Sequence, residues 1–197
     1  MGLVTIDYAM GVPAIQIARL VALPFNAEVV ISEQAADTSL RTAIQAGHLN
    51  HWEEGLLRLA EANVGHAYFG LGPAASPPTP DLVGRLAKAA ANDALVVAAC
   101  PFGAETVGRR VQTTSVYVTA ELGVRAQRVA REASIELGEA LRVVSLADAS
   151  AMAYRQQVVG RPLPDSLHHD LIINASTLDE SAVASLIISY LRTSGRA

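Results

Sequence analysis

Five short runs of aliphatic and β-branched residues recur along this 197-residue chain, separated by segments with helical spacing. The runs are Leu3–Tyr8, Glu28–Ile31, Ala94–Cys100, Thr113–Thr119 and Asp170–Asn174. Strands that alternate with helices predict an α/β fold: a central parallel sheet of about five strands, helices on both faces, and right-handed crossovers. A small-molecule site in such a fold belongs at the C-terminal ends of the strands, here near residues 8–14, 100–104 and 119–121.

The first run leads into the segment that decides function. Leu3–Tyr8 reads as a strand, Ala9–Pro13 as a turn, and the residues after it as a helix with Ala14, Ile17, Ala18 and Val21 on one face. Pro13 suits a first helical position. Such a turn is where a phosphate would meet a helix N-terminus.

Further along, Leu23-Pro24-Phe25 is a break, residues 34–64 read as helical, and the proline-rich 70–80 is a loop. A helix from Pro80 to about Ala91 follows, capped by Thr79. A long helix is predicted from Glu121 to about Leu141, with Leu122, Ala126, Val129, Ala130, Ala133 and Leu137 on one face, and another over 147–159. Thr177-x-x-Glu180 has the pattern of a capping box opening a last helix. Val183, Leu186, Ile187, Tyr190 and Leu191 would form its apolar stripe.

Charged residues make up 17% of the chain against a usual share of about 25%, and hydrophobic ones 51%. Such a surface favours a large core or a covered face, and a homodimer is expected. A net charge of −4 provides no field for nucleic acid or an anionic membrane. No apolar run reaches the ~20 residues of a membrane helix, and no basic leader opens the chain, so a soluble, cytoplasmic protein is expected. The lone Cys100 excludes an intrachain disulfide and reads as a buried small hydrophobe. Fourteen arginines stand against one lysine, Lys88, so the first turn has no lysine to offer a phosphate.

Several segments together resemble the cytidylate kinase-like family of P-loop nucleoside monophosphate kinases. They are His169-Asp-Leu-Ile-Ile-Asn-Ala-Ser176 with the helix after it, Val116-Tyr-Val-Thr-Ala120, Arg125-Ala-Gln-Arg-Val-Ala-Arg131, and the N-terminal Val4-Thr-Ile6 with Leu-Pro-Phe25. The resemblance implies a three-layer P-loop kinase-like fold in one domain, 1–197. Its core would be 1–31 and 80–197, with 32–79 a helical region like the monophosphate-binding insertion. It places the nucleotide phosphates at Gly11, Val12, Pro13, Ala14 and Ile15, and against Arg125, Arg128, Arg131 and Arg155, with ATP and Mg²⁺ as cofactors where the site works.

The chain departs from that family where charge matters. Gly-Ser-Gly-Gly-Arg, or a lysine version, is usual after the first strand; here stands Gly11-Val12-Pro13-Ala14-Ile15. Pro13 has no N–H, Val12 no hydroxyl for Mg²⁺, and Ile15 no charge, while Asp7 would repel phosphate. Gly-Arg-Gly after the third strand is replaced by Pro101-Phe102-Gly103. In the lid, Asp-Lys-x-Arg-x-x-Tyr becomes Asp148-Ala149-Ser150-Ala151-Met152-Ala153-Tyr154. Phosphoryl transfer depends on cations and backbone donors. The sequence therefore predicts a degenerate site: a pseudokinase or binding protein in which nucleotide is held weakly or not at all. The alternative is an active nucleotide or small-molecule kinase using Arg125, Arg128 and Arg131 with an atypical loop.

Other residues read as structural. His48 and His51, near Glu53 and Glu54, lack a clear third ligand, so no metal is expected. His168-His169 reads as an exposed loop pair, Trp52 as packing or a dimer contact, and Phe102 and Met10 as caps on the core. Arg128 stands at the spacing to pair with Glu132.

Overall fold

A computed structural model of the chain describes residues 2–31, 95–99, 103, 113–159 and 168–196. The described elements are β1 (Leu3–Tyr8), α1 (Ala14–Ala22), a 3-10 turn (Leu23–Phe25), β2 (Glu28–Ile31), β3 (Val96–Ala99), β4 (Thr113–Thr119), α2 (Leu122–Ala133), α3 (Leu137–Val159), β5 (Leu171–Asn174) and α4 (Glu180–Thr193). They belong to two compact units, with the strands, α1 and α4 in one and α2 and α3 in the other.

The sheet has five strands in the order β2-β3-β1-β4-β5, and every pairing is parallel. β1 is central and its six residues are LVTIDY, the first five of them buried. Parallel strands are covered on both faces, which is why they read as apolar runs rather than alternating ones. On one face Val4, Ile6, Val97, Ala99, Val116, Val118 and Ile173 form a core with α1 and α4. On the other, Leu3, Thr5, Asp7, Val96, Ala98 and Ser115 are buried as well.

α1 is only nine residues long. Isolated helices under ~12–15 residues are marginal in water, so its buried stripe of Ala14, Ile17, Ala18, Val21 and Ala22 holds it. Fully burying a side chain such as Ile17 contributes on the order of 1.5–3 kcal/mol. α4 lies beside α1 and buries Val183, Ala184, Ile187 and Leu191. Leu186 of the expected stripe is instead 48% exposed, and Ala184 takes the inward place. Pro13 sits one residue before α1 as its N-cap rather than as its first residue.

Three further helix boundaries differ from the sequence expectation. The helix expected over 121–141 is two helices. α2 stops at Ala133 because Ser134 turns left-handed, with φ 58°, and Ile135 N–H returns to the Ala130 carbonyl. That break shifts the helical phase, so Leu137 opens α3 at 44% exposure instead of continuing the buried face. α3 then absorbs the helix expected at 147–159, and packs Ala140, Val143, Val144, Ala147 and Ala151 inward. α4 is capped by Asp179, whose carboxylate accepts from Ala182 N–H at 2.7 Å, rather than by Thr177. The acid lies one residue before the first helical turn, where a carboxylate serves the orphan donors and the helix dipole together.

Candidate functional site

β1 is where the sheet changes direction: β3 and β2 are added on one side, β4 and β5 on the other. The crevice beyond the C-terminal ends of such strands is the position for a ligand in open α/β sheets. The turn from Ala9 to Pro13 stands there.

Its backbone is held by its own hydrogen bonds. Ala9 N–H donates to the Val118 carbonyl at 3.0 Å, fixing the turn's start to β4. Val12 N–H then returns to the Ala9 carbonyl at 3.1 Å. Gly11 has φ 87° and Met10 does not have a positive φ, so residues 9–12 form a type II turn with glycine at its third position. Ala14 N–H donates to the Val12 carbonyl at 2.8 Å across Pro13, whose φ −78° and ψ 59° are those of an inverse γ-turn. Val12 N–H and Ala14 N–H are thus already used, and Pro13 has none. The Val12 side chain is 7% exposed and belongs to the core, as does Ala14. Ile15 is half-buried and uncharged. Asp7, at the end of β1, is 1% exposed and its carboxylate accepts the Tyr8 N–H at 2.8 Å.

The arginines expected to face a phosphate lie in the other unit and do not share one edge of α2. Residues 125, 128 and 131 are three apart, so each step falls about 60° short of a full turn and the outer two end about 120° apart. Arg125 is 5% exposed. Its Nη1 and Nη2 donate to Oδ1 and Oδ2 of Asp148 at 2.9 and 2.7 Å, a bidentate ion pair between α2 and α3. Arg128 is half-buried, and Arg131 is exposed with Nε 3.5 Å from the Gln127 carbonyl. Arg155 lies on α3 with its side chain outside the described residues.

A polar cluster at the start of β4 and β5 escaped the sequence reading. His169 is buried, not exposed in a loop: Nδ1 lies 2.9 Å from Ser115 Oγ, and its ring lies 5.5 Å from that of Tyr117. Asp170 accepts the Ser115 N–H at 2.8 Å and pairs with Arg196 at 3.2 Å. Arg196 also donates to the Thr113 carbonyl at 3.2 Å. Serine, histidine and aspartate do not form a nucleophilic relay here, because Asp170 serves a backbone N–H and an arginine. The arrangement joins the C-terminal segment to β4. Residues 115 and 169 lie 54 positions apart, so only the pairing of β4 with β5 could have revealed it.

No family model and no curated protein matches the sequence. Among solved structures, the chain is similar to an uncharacterized protein from Eubacterium ventriosum, at 15% identity and a TM-score of 0.62, over 97% of this chain and 98% of that one. It is also similar to the shikimate kinase from Bacteroides thetaiotaomicron, at 12% identity and a TM-score of 0.53, over 100% of this chain and 99% of that one. The fold is P-loop kinase-like. Identities this low carry the fold and nothing finer.

In a P-loop kinase-like fold the turn after β1 would cradle phosphate with successive inward N–H groups and an adjacent cation. The turn of this chain supplies Gly11 at the left-handed position but spends the next two donors on its own carbonyls. Among the described residues, no group of three or more His, Cys, Asp or Glu could hold a metal ion, and no helix is long and apolar enough to cross a membrane. His48, His51, Trp52, Glu53, Glu54, the 70–80 loop, Cys100 and Phe102 lie outside the described residues.

Proposed function

We propose that this chain is a cytidylate kinase-like protein whose phosphate site is degenerate, a pseudokinase or binding protein on a kinase scaffold. The observation that carries the reading is the closed turn. Val12 N–H and Ala14 N–H are bonded within residues 9–14, and Pro13 between them lacks a donor. An anion could take these two donors only by breaking both bonds, with no side-chain cation at Ile15 to offset the cost. The motif likeness at 116–131 and 169–183 supports the choice of family, and the substitution of cation positions by Ala149, Ala151 and Ile15 supports the loss of transfer activity.

A homodimer is part of the same proposal, since a protein that no longer acts on nucleotide can be kept for its contacts. Light scattering at micromolar concentration tests it, with a dimer mass expected and a monomer mass against it.

The decisive assay is transfer from ATP to CMP or another small acceptor, together with nucleotide binding. Absence of turnover and of a Mg²⁺-sensitive stabilisation is expected. Turnover at ordinary enzyme rates, about 1–100 per second for kinases, would establish the active kinase with an atypical loop.

A further inference from the structure

Arg125 is a nearly buried guanidinium whose charge is met by the carboxylate of its own chain. The fork geometry that grips Asp148 through two parallel bonds, at 2.9 and 2.7 Å, is equally suited to two oxygens of a phosphate. The two partners differ in access: the Arg125 side chain is 6% exposed and that of Asp148 is 33%. The open side of the pair is therefore the carboxylate's. Beside Asp148 on the buried stripe of α3 stand Ala147 and Ala151, neither of which could replace its charge.

We propose that Asp148 is a built-in anion for Arg125, an autoinhibitory contact in which the α2–α3 pair holds its own carboxylate where an external polyphosphate would have to bind. The proposal rests on the degenerate-kinase reading and adds the regulation of its arginine. An incoming polyphosphate gains Arg125 only by displacing Asp148, so the resting protein discriminates against anions at this position. With the carboxylate removed, the guanidinium is a buried charge without that partner. A polyphosphate that fills the gap then stabilises the folded state by mass action.

The test compares melting of the full chain in sodium pyrophosphate and in sodium chloride at equal ionic strength, for wild type, Asp148→Ala, Asp148→Asn and the double variant Asp148→Ala/Arg125→Ala. In chloride, each single variant should melt roughly 6–15 °C below wild type. Millimolar pyrophosphate should restore at least half of that loss in the single variants, and leave wild type and the double variant unchanged. Single variants that respond no more than wild type, or a double variant that responds as strongly as they do, overturn the proposal. Should neither single variant fold in chloride, refolding followed by far-UV circular dichroism decides: helix recovered in pyrophosphate alone supports it, and unfolded chain in both salts overturns it. Pyrophosphate carries no base, and the readout is a difference between variants. Nucleotide binding by wild type would sink the degenerate-site reading without touching this comparison, and the reverse also holds.

Discussion

The N–H of Ala14 donates to the carbonyl of Val12 at 2.8 Å, closing an inverse γ-turn around Pro13 at the mouth of α1. This contact occupies a donor that a phosphate-binding turn would aim at its ligand. Proline contributes the φ that this turn needs, near −65°, and its ψ of 59° brings the flanking residues together to close it.

Reopening the turn should therefore restore part of the missing chemistry. The triple variant Pro13→Gly/Ala14→Gly/Ile15→Arg returns backbone freedom, one N–H and one cation without touching the buried Val12. Isothermal titration should detect Mg²⁺-dependent ATP binding in the triple variant at least about tenfold tighter than in wild type, equal to ~1.4 kcal/mol. Equal binding by the two proteins would show that the turn is not what limits the site.

Ser134 ends α2 in the left-handed region, which costs an L-residue other than glycine or asparagine roughly 1–2 kcal/mol. Its side chain is exposed, so little packing is lost on substitution. Ser134→Gly should raise stability by about 0.5–1 kcal/mol in urea unfolding. A loss of stability would mean that the Ser134 side chain contributes more than its conformation costs.

At the start of α4, Asp179→Ala removes the carboxylate that accepts from Ala182 N–H. The expected cost is ~1 kcal/mol, and Asp179→Asn or Asp179→Ser should recover most of it. Chemical denaturation of the three variants measures the order. Thr177→Ala, at the position the sequence pattern favoured, should change stability by less than about 0.5 kcal/mol.

In the cluster joining β4 to β5, Ser115→Ala deprives buried His169 of the oxygen 2.9 Å from its Nδ1. The loss should be about 1–3 kcal/mol in equilibrium unfolding. A near-neutral result would mean that His169 is held by its other contacts, including the Tyr117 ring.

The inner strands β1 and β3 were legible because they are buried on both faces and so appear as aliphatic, β-branched runs, whereas the edge strands β2 and β5 bury only part of their residues and show up as short runs of Val, Leu and Ile. β3, Val96–Ala99, is the plainest case. The stripe of α1 was legible from Ile17, Ala18 and Val21, and the missing donor and cation from Pro13 and Ile15, but the γ-turn that makes Pro13 the N-cap rather than the first helical residue was not. Other features depend on information that no local pattern holds. The break at Ser134 has neither glycine nor proline to mark it. The choice of Asp179 over Thr177 as cap depends on where the backbone leaves β5. The bond between Arg125 and Asp148 spans 23 residues and two helices, so its existence follows from packing. The burial of His169 follows from the register that sets Val116 beside Leu171.

A thermal-shift titration of the wild-type chain with ATP, CTP and CMP, with and without Mg²⁺, tests the central claim most directly. A ligand at a hundred times its Kd stabilises the state it binds by ~2.7 kcal/mol, a displacement that is easily read. The closed turn predicts no Mg²⁺-sensitive shift at millimolar nucleotide. A dose-dependent shift that requires Mg²⁺ would contradict it, and would mean that the bonds around Pro13 open to admit phosphate.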